Sequence, residues 1–501
     1  MTAPLLVDLR GTTLGPEERD LLARPGVAGV CLFSRNLEGF EQGRELVAEV
    51  LAAAGRPLVI GIDQEGGGVV RLPQAAVPPS PMALGAVDDP ALTERMGAAT
   101  GRGLRAIGVN VDFAPSADVQ SNPANPIIGD RSFGADPALV ARHVAAFVRG
   151  LQATGVAATL KHFPGHGDVA VDSHHALPRL DADDARLTAL EWPPFEAGIA
   201  AGAAAAMTGH LLVPALDPER PATLSRAVLE GALRRRLGFD GALFTDALDM
   251  RAIADGWGVP EAAVLAVEAG VDVPVVCNAD HVLYHAMLDA LDAAVREGRL
   301  DPDRVREART RLDGLLRAYP SAALELAPAV LTADAATEAE AARRAITALG
   351  APTRLARGRP LALFGRAELG ASGAADAARP VAALAAALEA ADVPVRWAAT
   401  LADLPAALAG AQALVVATSE RRPLTAEALA DYRQAFALAR AARTPALHAA
   451  LWNPDHARRL PGPALLSYGF RAASVAALVD ALLGGGAPGR PPVPLATWDA
   501  A

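Results

Sequence analysis

Eight short apolar runs recur in the first 280 residues, and segments with hydrophobic residues at helical spacing separate them. The intervening segments 88–106, 136–153, 184–201 and 258–269 have the pattern of amphipathic helices. Continuous apolar strands that alternate with helices are typical of a parallel sheet covered on both faces, and eight such units predict a (β/α)8 TIM-type barrel. The runs are residues 5–11, 26–36, 57–67, 108–118, 155–165, 203–213, 239–250 and 270–280.

The pattern changes after about residue 300, where a helical stretch (302–317) and a segment rich in Ala and Glu (331–348) precede a second series of strands. This series predicts a smaller C-terminal three-layer αβα domain, with a flavodoxin-like topology as one option. The predicted strands are residues 359–366, 394–400, 411–419, 444–452 and 462–470.

These patterns divide the α/β chain into four predicted parts. They are a barrel (1–320), a helical linker (321–355), an αβα sandwich (356–485) and an extended tail (486–501). The second domain contains neither GxGxxG nor a Walker loop, and its Gly/Ala-rich segment near residue 365 has the wrong spacing for either. We therefore predict no chemistry for that domain.

Polar residues follow the apolar part of every barrel run, and in this fold the carboxyl ends of the strands share the face that carries active sites. Any one of these residues could simply end its strand, but eight runs that end alike favour a site. The residues are Arg10, Asn36, Asp63, Asp118, Lys161, His162, His210, Asp246 and Asn278.

Composition narrows the class of protein. The formal net charge of −11 argues against binding to a nucleic-acid backbone, which needs a basic surface. Charges, Gly or Pro interrupt every apolar run before 18 residues, and the amino terminus lacks the features of a secretory signal. We expect a cytoplasmic protein with a small-molecule partner and no membrane contact; the oligomeric state is left open.

The segment LKHFPGHGDVAVDSHHALP (160–178) holds four of the ten histidines and the only lysine of the chain. Its histidines and aspartates could bind a metal, but the Phe-Pro-Gly spacer between His162 and His166 breaks the helix that a paired zinc site needs. We therefore predict no metal. A structural turn, in which His166 and His175 only bond the backbone, remains an alternative for those two residues.

A third interpretation is a strand end followed by a long mobile loop. Lys161 and His162 would then lie at the barrel mouth as donors to a polar ligand. Asp172 and His174 are two positions apart and would point the same way in extended backbone. A carboxylate beside an imidazole orients the ring and favours its charged form, which suits a histidine acid/base.

The motif KHFPGHGD (161–168), followed by DSH (172–174), resembles the bacterial β-N-acetylglucosaminidase (β-N-acetylhexosaminidase) branch of glycoside hydrolase family 3. Three further segments, in the same order along the barrel, are similar to motifs of that family. They are GIDQEGGGVVRL (61–72), NPANPIIGDRSFGADP (122–137) and FTDALDM (244–250). The resemblance implies a (β/α)8 barrel, with a second αβα domain in many members, and it is weaker beyond the barrel.

The resemblance also implies roles for individual residues. Asp246 matches the nucleophile, His174 the general acid/base and Asp172 the partner that orients it. The substrate-binding residues that it implies are Asp63, Arg71, Arg131, Lys161 and His162. The sequence departs from the family at Gly68, where the family often has arginine, and this leaves open what replaces that side chain.

These residues lead us to expect a retaining exo-β-N-acetylglucosaminidase that acts on a small carbohydrate without a metal or organic cofactor. Its predicted substrates carry terminal non-reducing β-linked N-acetylglucosamine, as cell-wall muropeptides and chitooligosaccharides do. A β-N-acetylglucosaminide phosphorylase of the same fold is the alternative. A non-catalytic sugar-binding barrel is a remote one, because it predicts loss of Asp246, Asp172 or His174, and all three are present.

Overall fold

The computed structural model describes residues 2–366 and 379–495. Eight parallel strands pair in sequence order and close into a barrel, as the apolar runs predict. Each run contains one strand. The strands are β1 (Leu5–Asp8), β2 (Val27–Leu32), β3 (Val59–Ile62), β4 (Val111–Asp112), β5 (Ala157–Phe163), β6 (Ala205–Thr208), β7 (Ala242–Ala247) and β8 (Val273–Val275).

Small and branched side chains fill the barrel interior, among them Leu6, Val59 and Ala157. Phe113 and Phe244 meet edge to face in this interior, with ring centroids 5.5 Å apart. The packed interior gives the barrel a solid floor, so a ligand is bound at the carboxyl ends of the strands.

Helices surround the barrel, largely where the amphipathic pattern predicts them. The predicted helix 184–201 is divided, because Pro193 and Pro194 lack the N–H groups that would continue it, and a short π-helical turn, Leu187–Glu191, precedes them. The α-helices are Pro16–Ala23, Phe40–Ala54, Pro81–Val87, Pro90–Ile107, Pro137–Gln152, Asp184–Arg186, Pro193–Ala200, Arg251–Trp257, Val259–Ala269, His281–Arg296 and Pro302–Ala318, and a second π-helical segment is Ala227–Arg236.

The C-terminal domain has three layers, as predicted, because separate hydrophobic cores cover the two faces of its sheet. The strand order is β11-β10-β12-β13-β14-β9. The five strands β10 to β14 have the flavodoxin-like order. At the edge next to β14, β9 adds an antiparallel strand that the sequence pattern did not predict. The strands are β9 (Thr347–Leu349), β10 (Leu361–Phe364), β11 (Val395–Ala398), β12 (Leu414–Thr418), β13 (Ala446–Ala450) and β14 (Ala464–Leu466). The helices are Pro380–Ala390, Leu404–Leu408, Ala426–Ala441 and Ala472–Leu482.

A long helix, Pro328–Ala345, lies between the two sheets. It packs against Ala472–Leu482 of the second domain and against two barrel helices, Pro81–Val87 and Pro90–Ile107. Because this helix packs against both domains, it does not mark a border between them. The predicted domain borders therefore remain predictions. Within residues 2–366 and 379–495, no helix combines the length and apolar character needed to cross a membrane.

Two predictions fall partly on residues that the structure does not describe. The Gly/Ala-rich segment near residue 365 lies outside the described residues from 367 onward, and so does the predicted extended tail from 496 onward. In the described part of the tail, Pro488 forms a single antiparallel β-bridge with Thr347 of β9.

Gly68 lies where the two domains meet, and its place in the structure explains the missing arginine. A Cβ atom at this position would lie 2.4 Å from Cζ2 of Trp452, far inside van der Waals contact. Trp452, in the loop after β13, is buried and packs on Phe470 with ring centroids 4.7 Å apart. Glycine at 68 therefore allows an indole of the second domain to occupy the space that a side chain would take.

We expect Gly68→Ala to lower the free energy of unfolding by about 1–3 kcal/mol, as overpacking of a filled site does. Gly11→Ala is the matched control, because nothing lies within 4 Å of a Cβ there. The measurement is the midpoint of thermal unfolding of both variants and of Gly68→Ala in a Trp452→Ala background. Equal midpoints for Gly68→Ala and Gly11→Ala, or an undiminished loss without the indole, would contradict the packing argument.

Candidate active site

A cavity of about 230 Å³ opens at the carboxyl ends of the barrel strands. This is below the range of drug-sized ligand sites and suits a ligand about as large as one sugar ring. Seven of the eight residues singled out from the sequence line it, and the eighth, Asp172, contacts one of them. The seven are Asp63, Arg71, Arg131, Lys161, His162, His174 and Asp246.

Glu65, which follows β3, is the centre of the buried charge network at one end of the cavity. Arg131 donates to both of its carboxylate oxygens at 2.8 Å, and Lys161 Nζ lies 2.5 Å from Oε1. Lys161 also donates to Oδ1 of Asp63 at 2.7 Å. Burial alone would raise the pKa of Glu65, but the two cations hold it well below its usual range. Both cations are thereby fixed with donors towards the cavity.

The same carboxylates keep Lys161 charged although its side chain is almost fully buried. Burial lowers the pKa of a lysine, but the charges of Asp63 and Glu65 outweigh this effect and raise it. Asp112 lies behind this group and accepts a hydrogen bond from the backbone N–H of Gln64 at 2.9 Å. Burial raises the pKa of Asp112 to about 8, so this carboxyl is neutral at pH 7.

His162 lies between an acceptor and a donor. Its Nδ1 is 2.7 Å from Oδ2 of Asp118, and its Nε2 is 3.2 Å from Nη2 of Arg131. A guanidinium can only donate, so we assign the ring proton to Nδ1. Burial would raise the pKa of Asp118, but the nearby imidazole of His162 and its hydrogen bond hold it below the ordinary value.

Asp172 and His174 are in contact, but the backbone brings them together differently from the prediction. Residues 173–175 form a turn rather than extended chain. Oδ1 of Asp172 accepts from the backbone N–H of His174 at 3.0 Å and lies 2.8 Å from its Nδ1. The expected geometry is therefore wrong, because the aspartate side chain closes an Asx-type turn on the histidine. Burial would raise the pKa of Asp172, but the two hydrogen bonds from His174 hold it well below its usual range.

Asp246 lies near the end of β7 and lines the cavity from another strand than the Glu65 network. Its Oδ1 accepts from the backbone N–H of Ala247 at 2.8 Å. Burial acts to raise its pKa, but the nearby imidazoles of His210, His162 and His174 lower it to about 2. The neighbouring Asp249 also lines the cavity, but its Oδ1 is engaged by the backbone N–H of Cys277 at 3.0 Å. Each of the two aspartates thus has one oxygen bonded to a backbone N–H, and the resemblance of the motif FTDALDM makes Asp246 the candidate nucleophile.

Three of the polar strand ends have structural roles instead. Arg10 pairs with Glu17 at an exposed position. The amide of Asn36 donates to two backbone carbonyls, and Oδ1 of Asn278 accepts from a backbone N–H. Of the other histidines of the segment, His166 lines the cavity and contacts Ser173 Oγ at 3.2 Å.

Sequence reasoning assigned no role to several groups that support the site. Glu65 and His210 were visible only as polar strand ends, and Asp118 was indistinguishable from Asn36 by pattern. Arg422, from the second domain, donates to Oδ2 of Asp172 at 3.1 Å. No local motif marks Arg422, because its contact is with a residue 250 positions away.

Among residues 2–366 and 379–495, no group of three or more His, Cys, Asp or Glu side chains is placed to hold a metal ion. Three of the four histidines of segment 160–178, His162, His166 and His174, contact Asp118, Ser173 and Asp172 respectively.

Glu191 packs against Gly165, at the start of the loop that carries Asp172 and His174. Its carboxyl is fully buried, and a Cβ at Gly165 would lie 2.6 Å from its Oε2. Among the described residues, neither carboxylate oxygen has a hydrogen-bond partner. Burial raises the pKa of Glu191 to about 8, and the negative charges of Asp118 and Asp168 add to the shift.

Known proteins are similar to this chain in sequence and in fold. The model of the glycosyl hydrolase family 3 N-terminal domain matches residues 6–315. A β-hexosaminidase from Alkalilimnicola ehrlichii is 39% identical over 322 residues, which are 63% of this chain and 89% of that protein. β-Hexosaminidase A from Pseudoalteromonas piscicida is 35% identical over 367 residues, which are 67% of this chain but only 61% of that relative.

The fold of one solved structure matches that of this chain over both domains. The family 3 β-N-acetylglucosaminidase from Paenibacillus sp. str. FPU-7 matches with a TM-score of 0.91 at 35% identity and covers 98% of each chain. The barrel and its charged cavity are therefore those of a glycoside hydrolase. The chain belongs to glycosyl hydrolase family 3.

Glu191 should make the stability of the protein depend on pH. Its folded pKa, about 8, lies above the ordinary 4.5, so its stabilising contribution is complete below about pH 4.5 and is lost as the pH rises through about 8. We expect Glu191→Gln to remove this dependence, which is of the order of a few kcal/mol. Urea unfolding at pH 5, 7 and 9 measures it, with the exposed Glu41→Gln as control. A constant difference in stability between Glu191→Gln and the parent at all three pH values would refute the assignment.

Proposed function

We propose that this glycoside hydrolase is a retaining exo-β-N-acetylglucosaminidase. It removes terminal non-reducing β-linked N-acetylglucosamine through a covalent glycosyl-enzyme intermediate. Asp246 is the nucleophile, and Asp172 and His174 form the acid/base dyad. The names of the family 3 relatives support the choice of sugar, and the residues around the cavity support the mechanism.

One observation carries the proposal: an ionised aspartate and a carboxylate-bound histidine line the same small cavity as the charged residues Asp63, Arg131 and Lys161. Lys161, Arg131 and Asp63 are suited to hold the hydroxyl groups of one sugar, because charged groups make short directional hydrogen bonds. A cavity of about 230 Å³ suits one sugar ring rather than two. The leaving group must then lie towards His174, whose side chain is one-third exposed. Cleavage from the chain end follows from this shape.

In the first step, the carboxylate of Asp246 attacks the anomeric carbon, and the bond to the glycosidic oxygen breaks. His174 gives its proton to that oxygen as the leaving group departs. Because Nδ1 is bound to Asp172, Nε2 is the nitrogen that we assign to this transfer. The depressed pKa of Asp246, about 2, keeps the nucleophile ionised at neutral pH.

In the second step, water attacks the anomeric carbon and breaks its bond to Asp246. Nε2 of His174, now unprotonated, accepts the proton from that water, which restores the starting state of both residues. Two displacements at one carbon give net retention of configuration. Asp172 remains ionised throughout, because its pKa is held well below its usual range.

The histidine distinguishes this site from the usual pair of carboxylates. A neutral imidazole does not repel an anionic group, so the site tolerates a leaving group that carries carboxylates. This favours cell-wall muropeptides as natural substrates, with chitooligosaccharides next. The same property would tolerate phosphate as the second nucleophile, which makes a phosphorylase the alternative. Near the motif, the sequence has no Gly-rich loop that leads into a helix amino terminus, as a phosphate site often does.

Product analysis tests the reaction itself. With a p-nitrophenyl N-acetylglucosaminide in 10 mM phosphate, proton NMR should show the β-anomer of free N-acetylglucosamine first. A fluorinated N-acetylglucosaminyl substrate should label Asp246, as seen in a peptide map. Dominant N-acetylglucosamine 1-phosphate would instead support the phosphorylase, first-formed α-anomer would exclude retention, and label on Asp249 would move the nucleophile.

The acid/base role of Asp172 and His174 is tested by comparing substrates with poor and good leaving groups. Protonation matters most for poor leaving groups, where a general acid contributes about 10²–10⁴-fold. We expect His174→Ala and Asp172→Ala to lower kcat/KM by this order on a natural disaccharide and far less on a p-nitrophenyl glycoside. His175→Ala, an exposed neighbour, is the control. Equal losses on both substrates would assign these residues to binding and would remove the acid/base role.

A further inference from the structure

The second domain reaches the barrel site through two consecutive arginines. Arg422 donates from Nη2 to Oδ2 of Asp172 at 3.1 Å. Arg421 donates from its Nη2 to the carbonyl oxygen of Ile127, which also accepts from Arg131 at 3.3 Å. One pair of side chains therefore contacts two of the barrel loops that carry candidate site residues, 122–137 and 164–178.

The backbone that carries these arginines is held by its own domain. The amide of Asn453 donates to the carbonyl of Arg421 at 2.9 Å, and Nε2 of His456 lies 3.0 Å from the carbonyl of Arg422. Nδ1 of His456 contacts Thr418, at the end of β12, at 3.1 Å. The position of the two arginines is thus set by the second sheet, independently of the loops that they contact.

Arg421 and Arg422 lie in different surroundings. Arg421 passes close to the buried Asp130, and burial lowers its pKa to about 10, so it remains a cation at neutral pH. The Arg422 side chain is 51% exposed. An ion pair that is so open to water contributes little binding energy. Its effect on Asp172 is therefore geometric: it holds the oxygen that His174 does not use.

Asp172 needs such a contact because its two oxygens have different tasks. Oδ1 accepts both hydrogen bonds from His174, and Oδ2 accepts from Arg422. With Oδ2 fixed, rotation of the carboxylate is restricted, and the direction of the imidazole is restricted with it. Misplacement of a catalytic group by about 1 Å can cost 10²-fold in rate.

We propose that Arg422 is a positioning residue through which the C-terminal domain holds the Asp172–His174 dyad in its working orientation. This assigns the second domain a part in catalysis, and it rests on the proposed function of the dyad. Arg421 does the corresponding task for the loop of Arg131. Docking of the second domain and orientation of the acid/base are then one event.

The test uses Arg422→Ala and Arg422→Lys in the full chain. We expect Arg422→Ala to lower kcat/KM by up to about fivefold on a β-linked N-acetylglucosamine disaccharide, as the loss of an exposed ion pair allows, and not measurably on the p-nitrophenyl glycoside. Lysine, which can donate one hydrogen bond to Oδ2, should restore part of the loss. In an Asp172→Ala background, Arg422→Ala should have no further effect. Arg433→Ala is the control, because this exposed arginine donates to the carbonyl of Arg459 in its own domain and, among the described residues, has no hydrogen bond to the barrel.

A second measurement needs no substrate. Amide hydrogen exchange over residues 168–176 should be faster in Arg422→Ala than in the parent, and unchanged in Arg433→Ala. Equal losses on both substrates, additive losses with Asp172→Ala, or unchanged exchange would each overturn the positioning role. A parent enzyme inactive on every N-acetylglucosaminide would instead contradict the proposed function, while the exchange result would still decide whether Arg422 holds the loop.

Discussion

The site depends on one buried carboxylate, Glu65. Its two oxygens bind both Arg131 and Lys161, whose side chains are almost completely removed from water. Removing one partner of such a buried pair typically costs about 3–5 kcal/mol, because an uncompensated charge remains. Glu65 therefore ties together the end of β3, the loop 122–137 and the end of β5. The donors that we assign to the sugar are in place before a ligand arrives, so their ordering does not have to be supplied by binding.

The charges around Glu65 also balance, and Asp112 is part of the reason. Three acidic groups, Asp63, Glu65 and Asp112, surround two cations, Lys161 and Arg131. Because burial raises the pKa of Asp112 to about 8, this group is neutral at pH 7, and two negative charges face two positive ones. Burial thus separates the two kinds of group: the buried residues around Glu65 keep a fixed charge, whereas the side chain of His174, which we propose exchanges a proton, is one-third exposed.

Much of the fold followed from the sequence, because each barrel strand is a separate apolar run and closing eight of them leaves few alternatives. The cavity residues followed from short motifs, in which the chemistry is local. What could not be predicted depends on contacts between distant segments: Arg422 on Asp172 and Trp452 on Gly68 have no local signature. The three-residue strand β9 is too short to show periodicity. At the strand ends, Asn36 and Asp63 follow their strands alike, and only the surrounding structure separates a turn from a site.

The contact between Gly68 and Trp452 has a consequence for how such two-domain chains evolve. A barrel that acquires a side chain at 68 expels the indole, and a second domain that loses the indole leaves a hole beside the motif that carries Asp63. Each change alone destabilises the contact between the domains, so we expect substitutions at the two positions to be tolerated better together than singly. The fit of the indole against glycine thus makes the barrel surface at residue 68 selective for a second domain that places an aromatic ring there.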